Sequence, residues 1–165
     1  MTDAEKAQVE RTALFDALVH AEVALWGFLE NALNQVPGSA TLGRYLVLKQ
    51  IKAADGTMRV QDIARRQHST VGAASRLVDR LVSDGLVERE PYPGDRRAVR
   101  LRLTPEGNRR MERAAETFED ALREVLSDID PGTLRALTQS LGFLAAAAER
   151  CRLPVPTVPS AGGAL

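Results

Sequence analysis

The sequence predicts a mainly α-helical chain with one small β-hairpin, in which terminal helices flank a compact basic unit. Three observations predict it. Apolar residues recur at helical spacing at both ends of the chain. Between them, Val99, Leu101 and Leu103 alternate with Arg100 and Arg102, the period of a half-buried strand. Charge is also unevenly spread. The net charge is zero, yet residues 58–110 hold 12 arginines against 7 acidic residues, while residues 1–57 sum to −2 and residues 111–165 to −3. A basic block between acidic arms is the electrostatic footprint of a phosphate-binding surface.

Residues 3–36 read as one long helix. Leu14, Leu18, Ala21, Leu25, Phe28 and Ala32 form one apolar seam, and Phe15, Val19, Trp26, Leu29 and Leu33 a flanking one. An arc that wide must be covered on two sides. The chain's own core can cover one side and a second subunit the other. Pro37-Gly38-Ser39 breaks the helix, and a second follows over about 42–54, ended by Asp55-Gly56. Met58-Arg59-Val60 is expected as a short strand beside the hairpin. Gln61–Gln67 is expected as a third helix, with Ile63 and Ala64 facing inward.

The stretch Ser69–Leu103 organises the middle. Thr70 is a suitable N-cap and Gly85 a suitable left-handed stop. Between them Val71, Ala74, Leu77, Val78 and Leu81 share one face, leaving Gly72, Ala73, Arg76, Asp79 and Arg80 outward. Glycine in an exposed helix costs about 1 kcal/mol against alanine. Gly72 and Ala73 make sense if a DNA major groove must come very close; the alternative is packing under a neighbouring loop. In the hairpin, Leu86-Val87 begins the first strand. Pro91, Pro93, Gly94 and Asp95 are turn formers, followed by Arg96-Arg97 on a thin loop suited to a narrow minor groove. Helix, stop and basic hairpin in succession are more specific than any part alone.

This stretch closely resembles the winged helix-turn-helix of the MarR (multiple-antibiotic-resistance regulator) family. The matching residues are Ser75-Arg76-Leu77-Val78-Asp79-Arg80-Leu81, Gly85-Leu86-Val87-Glu88-Arg89, Asp95-Arg96-Arg97 and Leu101-Arg102-Leu103-Thr104-Pro105-Glu106-Gly107. Correspondence is good over roughly residues 41–127. The resemblance implies a dimeric regulator on double-stranded DNA, often a repressor released by a small molecule. It implies that Arg97 enters the minor groove. Thr70 stands where many members carry an aspartate that can pair with the wing arginine.

For the remaining surface residues, Arg76 is the candidate base contact, framed by Ser75, Gly72 and Ala73. Arg80 is expected to touch phosphate or to pair with an acid of the wing base. Arg96 and either Arg65 or Arg66 are phosphate candidates, and Asp95 is expected to orient the wing. His68 reads as a polar turn residue.

Thr104-Pro105-Glu106 is a strong helix start. The helix it opens carries Met111, Ala115, Phe118, Leu122, Val125 and Ile129, spaced 4, 3, 4, 3, 4. Asp130-Pro131 starts the last helix, with Leu134, Leu137, Leu141, Leu144, Ala148 and Cys151 on its seam. The expected organisation is an N-terminal dimerisation helix (1–36), a winged unit (41–103), C-terminal dimerisation helices (104–152) and a disordered tail (153–165). A homodimer would place two reading helices on a pseudo-palindromic operator, with half-sites roughly 10 base pairs apart.

Other classes fare badly. His20, His68 and Cys151 form no zinc spacing, no glycine-rich phosphate loop follows a strand, and no nucleophile–base pair stands out. No enzyme, metal or cofactor is expected. The single cysteine cannot form an internal disulfide, which fits a reducing cytoplasm, and Cys151 is expected to be structural. The acidic N-terminus is unlike a signal peptide, and no apolar run approaches about 18 residues, so no membrane is expected. His20, Trp26 and Tyr45 are candidates to line a pocket for a small aromatic or amphipathic effector. The alternative function is a winged-helix adaptor that docks an acidic protein.

Overall fold

The computed structural model describes residues 2–92 and 95–151, and all side chains among them except those of 95–98. The chain divides into two units, Met1–Val125 and Leu126–Leu165. The expected tail at 153–165 and the turn at Pro93-Gly94 lie outside the described residues.

The first unit opens with α1 (Asp3–Asn34). Thr2 caps it, accepting from Glu5 N–H while the Glu5 carboxylate accepts from Thr2 N–H. Only its C-terminal third meets the chain's own core: Leu29 and Leu33 are buried, and Leu25, Phe28 and Ala32 pack beside them. The seams assigned from periodicity therefore divide differently, by position along the helix. Val9, Leu14, Phe15, Val19 and Val23 are exposed, Phe15 by 65%. Helix α1 is long and apolar enough, by length and composition alone, to cross a membrane. The expectation that no segment comes near that threshold is thereby corrected. Asp16 and Glu22 interrupt this stretch, and an ionised carboxylate at a bilayer centre costs about 3 kcal/mol.

Helix α2 (Leu42–Ala53) follows, its first free N–H, that of Leu42, donating to Glu30 of α1 at 2.7 Å. Leu42, Tyr45, Val47, Leu48 and Ile51 form the centre of the core. Residues 58–60 are not a strand. A single backbone bond, Leu101 N–H to Met58 O at 2.8 Å, joins them to the hairpin, and α3 (Val60–Arg66) begins at once. Ile63 and Ala64 are buried as expected.

Helix α4 (Val71–Ser83) ends before Gly85, whose φ of 69° allows Gly85 N–H and Leu86 N–H to reach Val82 O and Leu81 O. The sheet has two antiparallel strands, β1 (Val87–Tyr92) and β2 (Asp95–Leu103), with Val87 opposite Leu103 and Glu90 opposite Arg100. Both run further than the alternation suggested, so Arg96 and Arg97 lie in strand β2 rather than in the turn.

Helix α5 (Pro105–Val125) closes the unit. Thr104 joins it to the wing root. Its hydroxyl donates to Gly85 O at 2.6 Å and accepts from Gly107 N–H at 2.9 Å, while its own N–H donates to Leu86 O at 3.1 Å. Hydrogen bonds from Arg110 and Arg109 hold the Glu106 carboxyl below its ordinary range. Met111, Ala114 and Ala121 are buried, and Phe118 packs beside Tyr45. The helix stops at Val125, so Ile129 is not on it.

The second unit is α6 (Pro131–Arg150), capped by Asp130, whose carboxylate accepts from Gly132 and Thr133. None of its residues is buried; Leu137, Leu141, Phe143 and Leu144 are exposed. Cys151, at its C-cap, is exposed rather than packed on a seam, which corrects the structural role expected of it.

Candidate nucleic-acid interface

The outward side of α4 is set by its caps and its buried stripe. Thr70 Oγ1 accepts from Ala73 N–H at 3.1 Å, fixing the first turn. Ala74, Val78 and Leu81 are buried and Leu77 is half-buried. Val71, expected inward, is 53% exposed because the helix starts beyond the edge of the core. Gly72, Arg76 and Arg80 are exposed, and Ala73 and Ser75 half-buried. A Cβ added at Gly72 would meet nothing within 4 Å, so no neighbouring loop requires glycine there. That removes one of the two readings of this position.

The turn before α4 is built by His68 at φ 49°, with Ser69 N–H reaching back to Ala64 O at 2.9 Å and His68 N–H to Arg65 O. This is a helix-terminating turn in which histidine occupies the usual glycine position. It brings α3 and α4 into the helix-turn-helix arrangement. Arg65 and Arg66 are exposed at the end of α3, with Arg65 3.4 Å from Asp62.

The wing is tied to α4 by an ion pair between Asp79 and Arg89 of β1, at 2.6 Å. Of the two roles expected of Arg80, a pair with an acid of the wing base is not seen among the described residues. Arg80 makes no ion pair among the described residues, as is also true of Arg76. Across the wing, Arg100 grips Glu90 through two nitrogens at 3.0 and 2.7 Å, and Arg44 of α2 holds Asp84 at the end of α4. Exposed pairs like these add little stability, commonly under about 1 kcal/mol. Their effect is geometric: Arg89–Asp79 fixes the wing to α4, Arg100–Glu90 ties the two strands together, and Arg44–Asp84 ties the end of α4 to α2. The side chains of Asp95, Arg96 and Arg97 lie outside the described residues, though the β2 backbone places all three near the hairpin's far end.

The expected effector pocket is not assembled. Tyr45 is 2% exposed and packs against Phe118 with ring centroids 5.1 Å apart and the rings tilted by 42°, so it belongs to the core. Trp26 is 43% exposed and lies in an open depression of about 400 Å³ with Glu22, Val23 and Gly27. His20 is exposed on α1 and does not line that depression. Periodicity could not separate these residues, because an aromatic on an apolar seam looks the same in a core and in a cleft. Gly107, whose role the sequence did not reveal, proves central: a Cβ there would lie 1.9 Å from Leu86 O.

This architecture agrees with comparisons to known proteins. The MarR family model matches residues 40–99, which span the helix-turn-helix and most of the wing. The HTH-type transcriptional regulator YhbI of Bacillus subtilis is 28% identical over 151 residues, covering 92% of this chain and 96% of that protein. Residues 40–99 are thus similar to the MarR family. The multiple antibiotic resistance protein MarR of Salmonella typhimurium is 35% identical over 79 residues, 48% of this chain and 53% of that relative. Among solved structures, a serine-for-cysteine variant of MarR from E. coli, complexed with operator DNA, superposes with a TM-score of 0.73 at 25% identity. It covers 82% of this chain and 95% of its own. BldR from Sulfolobus solfataricus shares the fold at a TM-score of 0.72 and 22% identity, over 89% and 99% of the two chains. YhbI and BldR are both described as transcriptional regulators.

Proposed function

We propose that this chain is a MarR-family regulator: a sequence-specific, double-stranded DNA-binding repressor that works as a homodimer on a pseudo-palindromic operator. The observation that carries the reading is the outward face of α4. Gly72 presents open backbone, Arg76 and Arg80 stand exposed beside it, and no ion pair among the described residues occupies either arginine. A helix with that face can lie close in a major groove, where arginine reads guanine through two hydrogen bonds worth about 1–3 kcal/mol. Ser75 and Ala73 frame that contact, Arg65 and Arg96 meet phosphates, and Arg97 enters the minor groove with Asp95 orienting the wing. The MarR variant complexed with operator DNA supports this assignment by its fold.

Dimerisation is supported by uncovered apolar faces in each unit. Alpha helix α1 exposes Leu14, Phe15, Val19 and Val23, and α6 exposes Leu137, Leu141 and Phe143. Gly27 and Gly142 sit within these helices with nothing within 4 Å of an added Cβ, so the chain's own fold does not call for them. A second copy covers such faces at the least cost. Phe15→Glu is expected to shift sedimentation from dimer toward monomer; an unchanged dimer would place the interface elsewhere.

Random-oligonucleotide selection tests the reading directly. It should return a two-fold related motif, and affinity should fall linearly in log salt with a slope of about −0.9 per phosphate contacted. An adaptor for an acidic protein would show no sequence preference. Arg97→Ala is expected to weaken binding to the selected duplex strongly, by about tenfold or more, without changing the dimer. Arg76→Ala should flatten sequence preference more than it lowers non-specific binding; a preference that survives would make Arg76 a phosphate contact. Release by a small aromatic or amphipathic ligand is part of this reading, with no site assigned to it; titrating chemically varied ligands against the bound duplex tests it, and no release by any of them counts against an effector.

A further inference from the structure

The wing carries one contact that the interface described above does not use. The Arg59 guanidinium lies over the ring of Tyr92, 4.4 Å from its centroid, and both residues are half-buried. Arg59 is held firmly. It occupies the N-cap position of α3, its N–H donates to Asp62 Oδ2 at 3.0 Å, and the preceding carbonyl, Met58 O, accepts from Leu101 N–H. Tyr92 is the last residue of β1. Its partner across the ladder is Asp95, whereas Pro91 is paired with Val99. Arg96, Arg97 and Ala98 thus have no partner residue on β1. Pro91 also supplies no N–H. Ladder pairing is therefore weakest along the segment that bears the two arginines, beside Tyr92.

A two-stranded hairpin alone is marginal in water and needs support from packing. At the wing root that support comes from Arg89 with Asp79 and from the Leu101–Met58 bond. Further out, Arg59 on Tyr92 is the outermost tie from the wing to a helix among the described residues. A planar guanidinium on an aromatic face fixes both distance and tilt, which an ammonium on a flexible stem does less well.

We propose that Arg59, acting through the face of Tyr92, is a positioning residue that sets where the wing presents its tip to DNA. The proposal rests on the DNA-binding reading above. The test uses the full chain and the duplex recovered by selection with the parent protein, at salt low enough that Arg97→Ala still binds. Tyr92→Phe, which keeps the ring, should bind within about twofold of the parent. Tyr92→Leu and Arg59→Gln should each bind about tenfold more weakly, with unchanged thermal midpoints. In the Arg97→Ala background, Tyr92→Leu should cost less than about twofold more, because the brace acts through the wing tip.

Parent-like binding by both Tyr92→Leu and Arg59→Gln overturns the brace while leaving the DNA reading intact. A loss undiminished in the Arg97→Ala background also overturns it, since Tyr92 would then act elsewhere. If Tyr92→Leu does not fold, Arg59→Gln with and without Arg97→Ala decides the matter alone. A parent chain that retains no duplex at low salt overturns the DNA reading and the brace together.

Discussion

Gly107→Ala is expected to destabilise the first unit by about 3 kcal/mol or more, through overpacking against rigid backbone. The new Cβ would stand 1.9 Å from Leu86 O and 2.8 Å from Leu86 C. Backbone can give way only if its own bonds allow it, and here they do not. Leu86 N–H is bonded to Leu81 O at 2.9 Å and Leu86 O to Thr104 N–H, while Thr104 Oγ1 ties Gly85 O to Gly107 N–H. The Leu86 side chain is fully buried, so the strand start cannot slide outward without opening the core. Thermal unfolding followed by circular dichroism, at fixed protein concentration, should show the midpoint fall by roughly 10 °C. A midpoint within a couple of degrees of the parent's would mean that α5 and the wing root move apart freely.

Gly72 should behave in the opposite way. Its added Cβ meets nothing, and its φ is not in the left-handed region. Gly72→Ala is therefore expected to raise stability, by up to about 1 kcal/mol, less if the first turn shows a weaker propensity effect. The same change narrows the gap between α4 and the groove and should weaken binding to the selected duplex. Gly72→Leu should do so by about a hundredfold or more, since lifting the helix forfeits several base contacts at once. Stability rising while affinity falls is the signature of a residue kept for a partner and not for the fold. A destabilised alanine variant, or a leucine variant that binds like the parent, would refute that assignment.

Most of the helix-turn-helix and wing was legible because its signals are short-range. Thr70 caps its own helix and Gly85 ends it through bonds spanning a few residues. Thr104-Pro105-Glu106 marked the start of α5 for the same reason. The errors share a different cause. Arg80 and Asp79 are neighbours on one exposed face, and only the position of β1 shows that it is Asp79, through Arg89, that ties the helix to the wing. The turn formers Pro91 and Asp95 suggested a longer loop, yet cross-strand pairing carries both into the ladder. Tyr45 fits a cleft or a core equally well until Phe118 is seen against it.

By itself, the sequence determined the helices and their stops, the alternation of β2, the basic character of the middle block and the composition of the outward face of α4. Each depends on propensity, capping or charge within a few residues. Tertiary structure alone decided how much of α1 the chain covers for itself, which of two helical glycines the fold requires, and what braces the wing. Those outcomes turn on distances between segments far apart in the chain, from Gly107 to Leu86 and from Arg59 to Tyr92. No periodicity along a single segment encodes them.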